Sequence, residues 1–115
     1  DEYVDVVGMD NYSDFRPDGG DTSLVVLKAR ILTQYARRHA KLSAITETGT
    51  QTRDSLWYTQ LLSILRSEGV ALNYVCSWSG FAPYKGHPAA TDFCRFKEDS
   101  LVLFADEIPD FYTWP

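Results

Sequence analysis

The sequence predicts an α/β fold in which short parallel strands alternate with helices. Three apolar runs have the length of strands, and they cover residues 4–9, 42–45 and 70–76. The stretches between these runs are long and carry apolar side chains at helical spacing. Because a tight turn cannot connect parallel neighbours, a helix between successive strands indicates parallel pairing through right-handed crossovers.

The first strand leads into a loop and then into the first predicted helix. Residues 13–20 are rich in Asp, Pro and Gly, as turns require, and residues 21–23 offer N-cap side chains. A helix is predicted for 24–39, because apolar side chains recur there at intervals of three and four and draw one stripe down a helix face. The stripe consists of Leu24, Leu27, Ile31 and Tyr35.

The second half of the chain continues the alternation. A second helix is predicted from about residue 54, with Leu61, Leu62 and Leu65 facing inward and Gly69 as its C-terminal stop. The strand at 70–76 follows at once. Residues 81–92 then form a predicted Pro- and Gly-bearing loop, and 100–105 a short helix.

Polar and aromatic residues stand at the C-terminal end of each predicted strand. Asp10 and Tyr12 follow the first strand, Glu47 follows the second, and Trp78 follows the third. Chemistry in α/β folds, and in barrels particularly, is assembled at this edge of the sheet. The sequence therefore predicts a site there, with Glu47 as the candidate catalytic group.

Charge and composition exclude several classes of partner. The 115 residues carry a formal net charge of −5, without a basic stripe, which argues against nucleic acid and anionic membrane surfaces and favours a neutral substrate. No apolar run approaches the ~20 residues that span a bilayer. The spacing of Cys76 and Cys94 matches neither a metal site nor a disulfide framework.

Three strand–helix units are too few for a complete (β/α)8 barrel, which takes about 250 residues. A three-stranded parallel sheet alone would leave two unpaired edges and an apolar face in water. We therefore expect residues 1–115 to be the C-terminal half of a single barrel, with the N-terminal half absent from this chain.

Several ordered motifs together resemble the C-terminal half of a glycoside hydrolase family 26 β-mannanase. They are residues 1–12, residues 45–49, Ser77-Trp78, Asp92-Phe93 and residues 100–104. The resemblance covers essentially the whole chain. It implies that the strands are the sixth, seventh and eighth of a (β/α)8 barrel. One departure is Ser79, where some members carry a larger polar side chain, and this bears on the outer subsites.

The resemblance also implies roles for the residues at the strand ends. Glu47 matches the catalytic nucleophile, Tyr12 a tyrosine that hydrogen-bonds it, and Asp10 an aspartate of the same cleft. Trp78 matches the tryptophan that forms the floor of the subsite for the attacked sugar. The acid/base glutamate of the family follows strand four, and no residue here matches it.

The implied activity is that of a retaining endo-β-1,4-mannanase, which cleaves mannan, glucomannan or galactomannan by double displacement. Retention requires two carboxyl groups about 5 to 5.5 Å apart, and Glu47 supplies only one of them, so we expect the chain alone to be inactive. The missing half of the barrel is the implied partner, and no metal or organic cofactor is implied. The polymer substrate implies an extracellular or periplasmic location.

Each assignment has an alternative. Glu47 could be a capping or loop carboxylate, Tyr12 and Trp78 could be core aromatics, and Asp10 could be a turn former. The function could be that of another retaining β-glycanase, a xylanase or lichenase, or of a non-catalytic carbohydrate-binding barrel. A flavodoxin-like nucleotide binder is disfavoured, because no phosphate-binding glycine loop follows any strand.

Overall fold

The computed structural model describes residues 2–16, 20–50, 54–78 and 83–110. Within these ranges the three strands form one parallel sheet in the order β1-β2-β3. The predicted α/β fold is confirmed, and three strands with three helices fit part of a (β/α)8 barrel. The elements are β1 (Val6–Asp10), α1 (Ser23–Arg38), β2 (Leu42–Thr48), α2 (Trp57–Leu65), β3 (Tyr74–Ser77), α3 (Ala90–Lys97) and a 3-10 turn (Ala105–Glu107).

The two faces of the sheet have different surroundings. Met9, Ile45 and Val75 lie side by side across the three strands, and Met9 and Val75 pack against the main core cluster. Side chains alternate along a strand, so the neighbouring row points to the opposite face. That row contains Gly8, Ala44 and Tyr74. Tyr74 is 45% exposed and Gly8 is exposed, whereas Ala44 between them is buried, so the described residues leave this face open along the two outer strands.

The core lies between the sheet and the helices. Its buried members come from the β1–α1 loop, from α1, from α2 and from the start of α3. They are Phe15, Val25, Trp57, Tyr58, Leu61, Ile64 and Ala89. Two right-handed crossovers that advance in the same direction place both helices on one face of a sheet, which explains why α1 and α2 share this core.

The buried face of α1 is not the one marked by the predicted apolar stripe. Leu24, Leu27, Ile31 and Tyr35 are all exposed, between 44% and 58%. The helix instead buries a second set at the same spacing, namely Val25, Ala29, Thr33 and Ala36. Small side chains let α1 approach β1 and β2 closely. Two faces of this helix therefore carry apolar residues, and periodicity alone cannot rank them.

Helix α2 begins at Trp57, three residues later than predicted. Asp54 precedes it and accepts a hydrogen bond from the Leu56 backbone N–H at 2.9 Å. The inward orientation of Leu61 and Leu65 is confirmed, since Leu61 is buried and the partly buried Leu65 packs against the core cluster, whereas Leu62 is only partly buried. Gly69 adopts φ 78°, four residues beyond the helix, so it ends the following turn and not the helix itself.

Strand β3 starts at Tyr74, because pairing with β2 begins only there. Just before it, the Asn73 side chain accepts a hydrogen bond from the Ser43 N–H at 2.9 Å, and the Asn73 N–H donates to the Ser43 carbonyl at 2.7 Å. Residues 70–72 lead up to this contact without strand structure. The predicted start at residue 70 was therefore too early.

The predicted arrangement after β3 is wrong in two places. Residues 90–92 of the predicted loop belong to α3, while its residues 81–82 lie outside the described ranges. In place of the helix predicted for 100–105, residues 100–101 form a turn, residues 102–104 have no regular structure, and residue 105 begins the 3-10 turn. Asp92 of α3, 4% exposed, accepts hydrogen bonds from the Thr59 N–H at 2.9 Å and the Thr59 hydroxyl at 2.6 Å, which joins α3 to the first turn of α2. This tertiary contact has no local signal.

Cys76 and Cys94 are both exposed free thiols. No helix in the described ranges has both the length and the apolar character needed to cross a bilayer.

Candidate active site

The candidate site lies at the C-terminal edge of the sheet, where β1 and β2 end together. Asp10 is the register partner of Glu47, and the pairing shifts between Met9 and Asp10. A second shift lies in the β2–β3 pair, after which Thr48 faces Ser77. Irregular pairing of this kind is common next to functional sites, where it changes the direction of a side chain. Glu47 is thus a strand residue, which removes the helix-capping and loop alternatives.

Tyr12 and Glu47 form the central contact of this edge. The Tyr12 hydroxyl donates to Glu47 Oε2 at 3.4 Å, and both side chains are partly buried. Burial, followed by the negative charge of Glu47, raises the pKa of the Tyr12 phenol above its ordinary value. The phenol therefore stays protonated at neutral pH and serves as a hydrogen-bond donor to the carboxylate.

Asp10 lies at the same edge and is exposed. Its Oδ1 accepts a hydrogen bond from the Thr46 hydroxyl at 2.9 Å. As the last residue of β1, Asp10 is a strand residue and not a turn former. A Cβ on Gly8 would stand 2.3 Å from Thr46 Cγ2, so only glycine leaves room for this threonine.

Trp78 follows β3 and is 52% exposed, so it is not a core aromatic. Its backbone N–H donates to the Thr48 carbonyl at 2.8 Å, which fixes the start of the loop to β2. The structure thus brings Asp10, Tyr12 and Glu47 into one hydrogen-bonded edge. It places Trp78 at the end of the neighbouring strand, joined to that edge through the backbone.

A buried polar network supports this edge, and the sequence prediction missed it. The Asn11 side chain donates to Asp14 Oδ2 at 2.8 Å, and Lys28 Nζ contacts the same oxygen at 2.5 Å. The Asn11 carbonyl accepts a hydrogen bond from the Thr48 hydroxyl at 2.7 Å. Asn11, Asp14 and Thr48 are each at most 7% exposed. The one sequence signal was the Asn-x-x-Asp spacing of a local turn, which did not indicate burial.

The protonation of Asp14 makes the stability of the fold depend on pH in the acid range. The hydrogen bond from Lys28 lowers the pKa of the Asp14 carboxyl below its ordinary value, against the opposing effect of burial. A lowered folded-state pKa stabilises the fold above the unfolded value of ~3.9, and this contribution is lost as the pH falls through the folded value.

We therefore expect the free energy of unfolding to drop between pH 7 and pH 3 by less in Lys28→Met than in the unsubstituted protein. Urea midpoints of both proteins at the two pH values measure this difference. Equal losses in the two proteins would contradict the assignment of the effect to the Asp14–Lys28 pair.

The described residues contain no group of three His, Cys, Asp or Glu side chains arranged to hold a metal ion. Chemically, the edge offers one partly buried carboxylate with a phenol donor beside it, a second exposed carboxylate, and an exposed indole. A carboxylate oriented by a hydrogen bond can act as a nucleophile or as a base. An indole face packs on the C–H face of a sugar ring, with its N–H left for a hydroxyl.

Comparison with known proteins gives a consistent picture. No protein-family profile matches the sequence. A mannan endo-1,4-beta-mannosidase of Bifidobacterium adolescentis is 24% identical to it over 93% of this chain and 13% of that protein. The chain therefore spans a small part of the length of this relative.

Two solved structures of family 26 mannanases share the fold. A modular endo-beta-1,4-mannanase from Cellulomonas fimi is 28% identical with a TM-score of 0.78, over 93% of this chain and 27% of that one. The beta-mannanase BoMan26A from Bacteroides ovatus is 30% identical with a TM-score of 0.75, over 98% of this chain and 35% of that one. The resemblance predicted from the sequence is thereby confirmed: this chain is similar, in sequence and in fold, to about a third of a glycoside hydrolase family 26 mannanase.

Proposed function

We propose that residues 1–115 form the C-terminal part of a (β/α)8 catalytic barrel that hydrolyses β-1,4-linked mannans with retention of configuration. The single observation that carries this proposal is the Tyr12–Glu47 contact at the carboxyl edge of the parallel sheet. Its support is the similarity to proteins described as mannan endo-1,4-beta-mannosidase and endo-beta-1,4-mannanase.

In this proposal Glu47 is the nucleophile of a double displacement. Its carboxylate attacks the anomeric carbon, the glycosidic C–O bond breaks, and the leaving oxygen takes a proton from a second carboxyl group. Water then hydrolyses the glycosyl–enzyme ester as that second group accepts the proton of the water. Tyr12, held in its protonated form, donates a hydrogen bond that orients the attacking carboxylate.

Asp10 and Trp78 bind the substrate in this scheme. The exposed Asp10 carboxylate accepts hydrogen bonds from sugar hydroxyls, and Thr46 holds it in place. The half-exposed indole of Trp78 stacks on the sugar that is attacked. The polymer cannot cross a membrane intact, so the proposed place of action is outside the cell or in the periplasm.

The second carboxyl group is assigned to the missing part of the barrel, which is the proposed partner of this chain. Two surfaces fit that assignment. One is the open face of the sheet, where Leu42 is 49% and Tyr74 45% exposed. The other is the flank of α1 that carries Ile31 and Tyr35, 58% and 44% exposed.

The position of this flank indicates what covers it. Arg30 Nε donates to the Glu68 carbonyl at 2.7 Å, so the Arg30 side of α1 faces the connection between α2 and β3. At 100° per residue, Tyr35 lies on the other side of the helix. Among the described residues β1 pairs with β2 alone, and a barrel continued past β1 would bring its next helix to this flank.

The isolated 115-residue chain is expected to show no hydrolase activity, because one nucleophile cannot also protonate the leaving group. Reducing-sugar release from soluble galactomannan measures this, with a complete family 26 mannanase as the positive control. Turnover by the pure chain at a rate comparable to that control would overturn the assignment of the acid/base group to the missing part.

The substrate assignment is tested with the full natural chain on galactomannan, xylan and mixed-linkage β-glucan. Preferential cleavage of galactomannan supports the proposal. Preferential cleavage of xylan or mixed-linkage glucan would instead identify a xylanase or lichenase. Saturable binding of mannan without cleavage would identify a carbohydrate-binding barrel.

A further inference from the structure

We infer that Asn11 and Thr48 form a positioning clamp that holds Tyr12 against Glu47. The inference rests on the proposed function, because that function gives the Tyr12–Glu47 contact its catalytic role. The clamp itself rests on hydrogen bonds that join the first residues after β1 to the end of β2.

Asn11 is bound to β2 through both of its backbone polar groups. Its backbone N–H donates to the Glu47 carbonyl at 2.9 Å, and its carbonyl accepts from the Thr48 hydroxyl at 2.7 Å. Tyr12 is the next residue along the chain. These two bonds therefore hold the backbone next to Tyr12 against the end of β2.

The side chain of Asn11 makes the clamp rigid. Its amide donates to Asp14 Oδ2 at 2.8 Å, and the Asp14 N–H donates to Asn11 Oδ1 at 3.3 Å. Lys28 of α1 contacts the same Asp14 carboxylate. The loop that carries Tyr12 is thus fixed to β2 and to α1.

Burial sets the Thr48 bond apart from a surface hydrogen bond. Thr48 is 0% exposed and Asn11 is 4% exposed, so water cannot easily replace the bond once it is lost. Thr48 is not expected to touch substrate, because its hydroxyl donates to the Asn11 carbonyl. Its expected role is to position Tyr12, acting through Asn11.

The test is Thr48→Val, which keeps the β-branched shape and removes the hydroxyl. In the full natural chain it is expected to lower kcat on galactomannan about 10- to 100-fold with little change in KM, since a small misplacement of a catalytic group has an effect of that size. Thr48→Ser restores the hydroxyl and is expected to recover most of kcat.

Thr33→Val is the matched control. Thr33 is also a buried threonine, 1% exposed, and its hydroxyl bonds the Ala71 carbonyl at 3.3 Å. The contact lies before the start of β3, at the other end of the sheet. The control is expected to lower the melting temperature, as Thr48→Val does, and to leave kcat unchanged. Equal kcat losses in both valine variants would show a merely structural role and overturn the clamp.

A second readout separates the clamp from the enzymatic proposal. The 13Cζ NMR signal of Tyr12, assigned by its loss in Tyr12→Phe, reports the contact with Glu47 without any substrate. It is expected to shift in Thr48→Val and to return in Thr48→Ser. An unchanged signal in Thr48→Val would overturn the clamp, whatever the activity. Full activity of Glu47→Gln on galactomannan would disprove the proposed function. The NMR result alone would then decide whether the clamp exists.

If Thr48→Val does not fold, Asp14→Ala replaces it, because this variant removes the anchor of the Asn11 side chain. It is expected to shift the Tyr12 signal, and Lys28→Met, which keeps the Asn11–Asp14 bond and removes only the contact to α1, is expected to shift it less. The same shift in both variants, or in neither, would count against the clamp.

Discussion

Substitution of Glu47→Ala in the full natural chain is expected to lower kcat on galactomannan by more than about 10³-fold, the scale seen when a nucleophile is removed from a catalytic unit. The reason is that the Glu47 carboxylate beside the Tyr12 phenol is the group that attacks the anomeric carbon in the proposed mechanism. Steady-state rates on soluble galactomannan measure the effect. Retention of the unsubstituted rate would disprove the assignment of Glu47.

Two controls give this result its mechanistic content. Azide added to Glu47→Ala occupies the space of the lost carboxylate, attacks the anomeric carbon in its place, and is expected to restore cleavage with a glycosyl azide of inverted configuration as product. Glu98→Ala removes an exposed glutamate at the end of α3 and is expected to keep full activity. If Glu47→Ala has the same melting temperature as the unsubstituted protein, a folding defect is excluded as the cause of the lost activity.

Trp57→Ala is expected to reduce the free energy of unfolding by about 3–5 kcal/mol, the usual cost of truncating a buried aromatic side chain. Trp57 is 2% exposed and lies at the centre of the core, with the Phe15 ring 5.0 Å and the Tyr58 ring 4.9 Å away between centroids. A loss of that size is a large share of the ~5–15 kcal/mol that stabilises a typical domain. Urea unfolding followed by circular dichroism measures it.

Trp78→Ala is the matched control, since it makes the same truncation at a side chain that is 52% exposed. It is expected to leave the urea midpoint nearly unchanged while raising KM for galactomannan. Trp57→Phe is expected to destabilise less than alanine, because it keeps the aromatic contacts and removes a buried indole N–H that has no hydrogen-bond partner among the described residues. Equal destabilisation by Trp57→Ala and Trp78→Ala would contradict the burial argument.

The parallel pairing of the strands and the edge on which the candidate residues lie were predictable from local patterns. Apolar runs separated by helical stretches require parallel pairing, and parallel strands end at one edge. Glu47 and Asp10 could therefore be placed together before the fold was known, and the register confirms that they are neighbours.

The orientation of α1 and the position of α3 were not predictable in the same way. Helix α1 has two apolar faces, and the buried one carries the small side chains Ala29 and Ala36, which periodicity alone does not single out. Helix α3 is joined to α2 by the contact between Asp92 and Thr59, which are 33 residues apart in the chain. Local propensity carries no information about such a contact.

The buried network at the site shows the same division. The residue types at the strand ends, including Tyr12 and Glu47, were present in the sequence pattern, and the proposed chemistry starts from them. Their alignment depends on Asn11 bonding Glu47 and Thr48 and on Asp14 meeting Lys28 of α1. The sequence by itself determined the strand–helix alternation and the groups at the sheet edge. Tertiary structure alone decided which helix face is buried and how Tyr12 is held, because both depend on contacts between residues far apart in the chain.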